Sequence, residues 1–495
     1  MVPESIRHFI GGQQVRSSFG KAFPAVDPAT GKEYARVEVG VGADINQAVL
    51  AAQNLFGPGP WADMTALERA AVLARIADGI DSRAGQIADF EALGSGLPIT
   101  QASHHVAAAA QCFRLAAGLI RERHGETSVS PGRPGYLALR PAGVTGVVTS
   151  WRTPFLAQAR ALAPALAAGG TVVLQADIWA PLSAALLPEI VTDAGLPAGV
   201  LNIVHGTGSW RGTRPTTGAR DALVTHAGVP LLSFAGDAAA GEEVAREAAE
   251  RGKRLTTNLA SHSPCVILAD ADIERAADSA LFGAFALNGG RRTATARILA
   301  ERSVYEAVVT RVADGAGRLR VGAPSDPATE IGALVHAEHY DQVMSGVRRG
   351  IRDGARLAAG GRRPGDLTEG SYLSPTVLAD VTPDMRIFTE VMSAPVACVT
   401  PFDSEEQAVT LARALTGAPA AYLWTADQRR ANRLAMAIGS PMTWVNAHNP
   451  DDLRTPPGHA EIADDLDFYT GSGAIYVAAD DDPAPRLSTG TGLPG

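Results

Sequence analysis

Strands that alternate with helices along the chain predict an α/β fold with two doubly wound parallel-sheet domains. The clearest alternation lies between residues 143 and 252. A second one follows from Cys265 to about Val399. Between them, the short apolar runs, the β-branched residues and the glycine stops specify a sheet with right-handed crossovers.

Taken in order, the chain opens with a helical stretch, Asp44 to Gly79 and Arg83 to Arg123. Gly143-Val144-Thr145-Gly146-Val147-Val148-Thr149 is β-branched and predicts a strand. Phe155 to Ala168 is rich in Ala and Leu and stops at Gly169-Gly170, as a helix does. Thr171 to Leu174 predicts the next strand. Pro181 to Ala194, with a proline near its start and Gly195 after its end, predicts a helix. Strands are expected at Val200 to Val204 and Leu231 to Phe234. In the second region Cys265 to Leu268 and Ile298-Leu299 predict strands, and Ile273 to Leu287 a helix. The last residues, 480–495, are rich in Asp, Pro, Gly, Ser and Thr and are expected to be disordered.

Composition narrows the function. A chain of 495 residues exceeds one ordinary core and implies two or three domains. A net charge of -9 disfavours nucleic acid and anionic membranes as partners. No apolar stretch reaches the ~20 residues that span a bilayer. The first eight residues lack a basic segment followed by an apolar run, so no secretory signal is expected and the reading is cytoplasmic. Three distant cysteines, Cys112, Cys265 and Cys398, give neither a disulfide framework nor a paired-Cys metal site. Each is expected to be a buried, inert thiol. No His, Cys or carboxylate cluster has metal spacing.

A colinear set of motifs runs from about Phe9 to Val477. It includes Phe9-Ile10-Gly11-Gly12, Asp27-Pro28-Ala29-Thr30-Gly31-Lys32, Glu91-Ala92-Leu93-Gly94-Ser95-Gly96-Leu97-Pro98, Leu162-Ala163-Pro164-Ala165-Leu166-Ala167-Ala168-Gly169, Ala194-Gly195-Leu196-Pro197-Ala198-Gly199-Val200-Leu201-Asn202-Ile203-Val204 and Trp444-Val445-Asn446. In these segments the chain resembles the aldehyde dehydrogenase superfamily. The resemblance implies a nucleotide-binding domain from 1–125 and 147–255, a catalytic domain from 256–450, and bridging, oligomerising strands at 126–146 and 468–479.

The same register exposes departures at the positions that carry the family's chemistry. In Leu287-Asn288-Gly289-Gly290-Arg291-Arg292-Thr293-Ala294-Thr295-Ala296-Arg297, Arg292 falls where the resemblance places the nucleophilic cysteine. A protonated guanidinium has no lone pair with which to attack a carbonyl. In Ser150-Trp151-Arg152-Thr153-Pro154, Arg152 replaces the oxyanion-donating Asn. It can donate, although its longer arm overfills a site shaped for an amide. Asn258 replaces the general-base Glu and cannot accept a proton at neutral pH. Thr293 has no evident base to make it a substitute nucleophile. His262, in the remnant of the base motif, is expected on the surface or satisfied within its loop.

The cofactor positions depart as well. Trp151 precedes Arg152. Gln175 replaces the ribose-side lysine, and Ile178 replaces the ribose-binding carboxylate. Gly236 and Asp237 end the turn that receives the pyrophosphate. Asp237 there is a good helix N-cap for Ala238 to Arg251, and it repels phosphate. Val391 aligns with the second ribose carboxylate and Ser393 with a nicotinamide-side Phe; a one-residue slip would bring in Glu390, but Pro395-Val396 holds the register. Gly206-Thr207-Gly208 lacks the third glycine of a dinucleotide fingerprint.

Scaffold kept and chemistry changed together predict a protein of aldehyde dehydrogenase fold that does not oxidise aldehydes. It would bind no cofactor and serve as a structural subunit, either a homo-oligomer or assembled with a catalytically competent relative. Two alternatives stay open. One is an active NAD- or NADP-dependent aldehyde dehydrogenase with atypical residues. The other is a binder of a small anion held by Arg152 and Arg292, which are expected to face one small space.

Overall fold

The computed structural model describes residues 2–130, 133–206, 218–414, 417–448 and 465–477. The expected tail at 480–495 and most of the Gly206-Thr207-Gly208 segment lie outside the described residues.

The first sheet has seven strands in the order Arg254–Leu259, Leu231–Gly236, Val144–Val148, Thr171–Asp177, Leu201–Gly206, His8–Ile10 and Gln13–Val15. The first five are mutually parallel; the two short N-terminal strands add an antiparallel edge. All residues of Val144–Val148 and Leu201–Gly206 are buried. That burial explains their unbroken apolar character, because helices cover both faces of a doubly wound sheet. From Val144–Val148 the chain winds outward one way through Thr171–Asp177 and Leu201–Gly206. It then returns to the other side through Leu231–Gly236. The order therefore reverses between Val144–Val148 and Leu231–Gly236. Ligands of such sheets bind in the crevice beyond the carboxyl ends of the strands at this switch point.

The helical N-terminal stretch resolves into Gly42–Phe56, Ala66–Ser82, Ala84–Ser95 and Ile99–Glu122. Trp61, fully buried between the first two, donates its indole N–H to the Gly170 carbonyl at 3.0 Å and ties this layer to the sheet. The helix Pro154–Ala167 starts with its proline at the first turn, where no N–H is missed. The segment expected as one helix from Pro181 to Ala194 is instead a 3-10 turn, Ala184–Leu186, followed by Leu187–Asp193. Pro188 at the start of the second piece has no N–H to carry the ladder across.

A second seven-stranded sheet follows in the order Arg356–Ala359, Thr376–Ala379, Val396–Phe402, Arg297–Glu301, Pro264–Ile267, Ala420–Trp424 and Met442–Val445. It is parallel apart from its first edge strand. Among the described residues there are also two three-stranded sheets. One joins Ser5–Ile6, Glu33–Glu38 and Ala22–Val26 and has no counterpart in the sequence reading, because its strands are too short to show periodicity. In the other, Arg133–Pro141 pairs antiparallel with Thr127–Ser130 and with Thr470–Tyr476. The architecture is the expected one of two doubly wound α/β layers and a small β unit.

Candidate active site

A cavity of about 720 Å³ has walls drawn from both large sheets and the N-terminal helices. Three helices each present one face to it. Gln101, His104, His105 and Ala108 come from Ile99–Glu122; Leu156, Ala157 and Arg160 from Pro154–Ala167; and Asp278, Leu281, Phe282 and Phe285 from Ile273–Phe285. Spacings of three, four and seven residues put such groups on one side of a helix. The floor is the loop that carries Arg291, Arg292 and Thr293.

That loop begins earlier than the sequence suggests. The helix expected to reach Leu287 stops at Phe285, and Leu287 (φ 57°), Asn288 (φ 54°) and Gly289 (φ 76°) are all left-handed. Each non-glycine residue in this region costs on the order of 1–3 kcal/mol. Its surroundings hold it there. The Asn288 amide donates to the carbonyls of Gly96 (3.0 Å) and Ala333 (3.1 Å) and accepts from the Gly332 N–H (2.8 Å), while the Leu287 N–H meets Gln101 Oε1 at 2.5 Å. At Gly289 a Cβ would lie 2.1 Å from the Ala394 carbonyl, so no side chain is tolerated.

Arg152 and Arg292 line the same cavity, as expected. The Arg152 guanidinium lies over the Trp151 ring at 5.2 Å and donates through Nη1 to Ser393 Oγ at 3.0 Å. Its stem passes Gly290 closely enough that an added Cβ there would touch it at 3.8 Å. It thus spans from the switch-point loop of the first sheet to the second sheet's side of the crevice. Burial lowers its pKa, and the nearby carboxylates of Asp237 and Asp177 act against that. Burial pushes Asp177 up to about 6, opposed by the N–H groups of Trp179 and Trp151 and by Arg152. His339 packs on Trp151 at 5.0 Å and donates from Nε2 to the Ser393 carbonyl at 3.2 Å. Burial, together with Arg152, pushes His339 down to about 4. A separate small pocket of about 10 Å³ lies beside Trp151, Arg152 and Ser393.

The remaining expected positions are dispersed. Asn258, Gly236 and Thr293 line the cavity. Gln175 is buried, with its amide donating to the carbonyls of Gly206 (2.6 Å) and Ala176 (3.0 Å). Ile178 is part of the core beside Leu182. Asp237 caps its helix by accepting the Ala240 N–H at 2.9 Å. Val391 is not among the cavity-lining residues. All three cysteines are buried, and none lines the cavity. Burial pushes Cys265 and Cys398 up to about 12, which suits inert thiols. His262 departs from expectation: it is buried, and burial beside Arg297 pushes it down to about 3. Its carbonyl accepts from Arg297, which explains why the segment turns inward. The sequence reading missed Arg160, Arg291, His105 and Asp177; the first and third lie on helices that only tertiary packing brings to the cavity. Among the described residues no cluster of His, Cys, Asp and Glu could hold a metal, and no helix is long and apolar enough to cross a membrane.

Two doubly wound layers with a roomy cleft at their junction define an enzyme-like α/β scaffold. The sequence pattern described as the Aldehyde dehydrogenase family matches residues 15–458, and the chain belongs to that family. It is 39% identical over 458 residues to the 5-carboxymethyl-2-hydroxymuconate semialdehyde dehydrogenase of Escherichia coli, covering 91% of this chain and 95% of that one. It is 34% identical over 491 residues to the 2-hydroxymuconic semialdehyde dehydrogenase of Pseudomonas sp. (strain CF600), covering 96% and 99%. The NAD+ complex structure of an aldehyde dehydrogenase from Bacillus cereus superposes with a TM-score of 0.89 at 32% identity, covering 96% and 97%.

These likenesses correct the expectation of a non-catalytic subunit. Relatives at 34–39% identity over nearly the whole chain bear the names of semialdehyde dehydrogenases. The expectation weighed residue types at a few aligned positions above a retained fold and a roomy cavity, and residue type at an aligned position does not measure activity. The idea of a competent partner subunit rested on inactivity and goes with it. The expected absence of a cofactor likewise finds no support beside an NAD+ complex in a relative.

The described crevice does not, as it stands, fit a dinucleotide. Arg152 bridges it, Ile178 offers a ribose hydroxyl no acceptor, and the Ala240 N–H at the helix start is already taken by Asp237. No reaction step is therefore routed through such a group.

Proposed function

We propose that this chain oxidises an aldehyde to a carboxylic acid, acting on a semialdehyde of the kind named for its relatives, as a member of the family with atypical site residues. The observation that carries the reading is the cavity of about 720 Å³ walled by Arg152, Arg160, Arg291 and Arg292, in a chain similar to these dehydrogenases end to end. A nicotinamide dinucleotide, NAD or NADP, would supply the two-electron oxidant. Its binding requires Arg152 to leave Ser393.

In this reading Arg292 holds the position of the nucleophile, Asn258 that of the base and Arg152 that of the oxyanion donor. None of the three can form a thioester. The two guanidiniums can donate to the aldehyde oxygen and draw electron density from its carbon. Water then adds to give the hydrate, with the Asn258 amide able to orient that water but not to take its proton. The same reading expects copies of the chain to associate through the strand Thr470–Tyr476 and its neighbours, where Tyr136 and Tyr476 stand exposed.

The test is turnover. Purified protein given a semialdehyde and NAD or NADP should yield the acid and reduced nicotinamide, read by absorbance and mass spectrometry. Unchanged aldehyde across a panel with both cofactors would overturn the reading.

A further inference from the structure

We propose that Glu91 is a positioning residue that works as a proton-dependent clamp: its ionised carboxylate holds the start of the helix Pro154–Ala167, and with it the loop that aims Arg152, and its protonated form loosens both.

That helix begins without the usual local support. Its N-cap, Thr153, makes no side-chain hydrogen bond and is left-handed at φ 42°, a strained setting for a β-branched residue. Pro154 has no N–H to offer. The next N–H, that of Phe155, donates to Glu91 Oε1 at 3.3 Å, from 64 positions further along the chain. A distant carboxylate thus caps the helix, at the end where unpaired N–H groups and the helix dipole favour negative charge. Arg152 lies two residues before Pro154 and reaches from this loop to Ser393.

Glu91 acts from a fixed support. It lies on the helix Ala84–Ser95, and the Gly96 carbonyl that follows accepts the Asn288 amide at 3.0 Å. The side chain is 1% exposed, and its Oε2 has no hydrogen-bond partner. A buried carboxylate with one oxygen unsatisfied ionises at a cost. Burial pushes Glu91 up to about 7, opposed by the Ser183 hydroxyl and the Phe155 N–H; no charge is among these causes. The titratable and charged groups on the surrounding elements are Tyr34, His105, Arg152, Arg160 and Asp177. Burial raises Tyr34, whose hydroxyl lies near Gly94, and pushes His105 down to about 3, so both are neutral near pH 7. The charge of Arg160 acts on His105, and Arg152 has the carboxylates of Asp237 and Asp177 as its counter-charges. Asp177, at about 6, holds the same loop through the Trp151 N–H, so the two titrations have to be separated.

Hydrogen-exchange mass spectrometry of peptides spanning residues 150–158, corrected for intrinsic exchange, reads the clamp at pH 6 and pH 8. The wild type should be about fivefold less protected at pH 6. Glu91→Gln, which keeps the shape but cannot ionise, should lose that difference, and Asp177→Asn should keep it. An equal response in the wild type and Glu91→Gln, no response in the wild type, or its loss in Asp177→Asn overturns the proposal. Thermal unfolding gives a second readout. The Glu91 carboxyl ionises at 4.5 when unfolded and at about 7 when folded, so the stability it contributes is present at low pH and lost as pH rises through this window. The melting temperature of Glu91→Gln relative to the wild type should therefore rise from pH 6 to pH 8. A constant offset is what a purely structural role gives, and it would overturn the clamp. Ser183→Ala leaves the carboxylate in place and removes a group that favours its ionised form. It should move the midpoint of the wild-type exchange response to higher pH; an unmoved midpoint assigns the response to another group and overturns the proposal.

Discussion

Arg152→Asn should make this protein bind a nicotinamide dinucleotide more tightly. In the wild type the guanidinium crosses the switch-point crevice between the large cavity and a small pocket of about 10 Å³, bonded to Ser393 Oγ at 3.0 Å. A dinucleotide must first break that bond. A hydrogen bond to a charged group is worth about 1.5–3 kcal/mol. One opposing effect has to be weighed: removing the cation leaves Asp177 and Asp237 facing the incoming phosphates. Asp237 is exposed and screened by salt, so its repulsion amounts to about 1 kcal/mol or less. Asp177, already pushed up to about 6, rises further without Arg152 and carries less charge near neutrality. The gain wins by about 1–2 kcal/mol, or roughly five- to thirtyfold in Kd. Titration of both proteins with NADH, followed by its fluorescence at physiological salt, reads this directly. Equal or weaker binding in Arg152→Asn would refute the idea that the arginine closes the crevice.

Three further outcomes follow from the same geometry. Trp61→Ala removes a fully buried indole and its bond to Gly170, and should cost about 3–5 kcal/mol, seen as a large fall in melting temperature or in soluble yield. Gly289→Ala drives a methyl into the Ala394 carbonyl at 2.1 Å in a left-handed conformation, and should cost stability together with activity; an unchanged melting temperature would contradict the loop geometry. His262 ionises near 6.5 when unfolded and only at about 3 when folded, so the unfolded chain takes up its proton first as pH falls. Stability should therefore drop by about 2 kcal/mol between pH 7 and 5 through this group alone. His262→Gln should lack that part of the drop in chemical unfolding at the two pH values.

The sheets were legible because burial on both faces forces apolar, β-branched runs such as Val144–Val148, and because Gly169 and Gly195 mark where helices stop. The helix cap at Asp237 was legible for similar local reasons, whereas the shared cavity of Arg152 and Arg292 was legible only through the family resemblance that aligns them with groups facing one carbonyl. What failed to show was set by distant partners. The early end of the helix at Phe285 depends on Asn288 reaching Gly96, Gly332 and Ala333, none of them near it in sequence. His262 turns inward because Arg297 needs carbonyl acceptors. Arg160 and His105 belong to unremarkable amphipathic helices, and only the packing of those helices brings them to one wall. The expectation of lost activity failed for a different reason: it inferred absence of function from absence of particular residue types.

The most direct measurement incubates the purified chain with adipic semialdehyde and NAD or NADP and follows the product by mass spectrometry. The account predicts adipate and reduced nicotinamide in equal amounts. Aldehyde recovered intact with both cofactors, from protein shown to be folded, would contradict it.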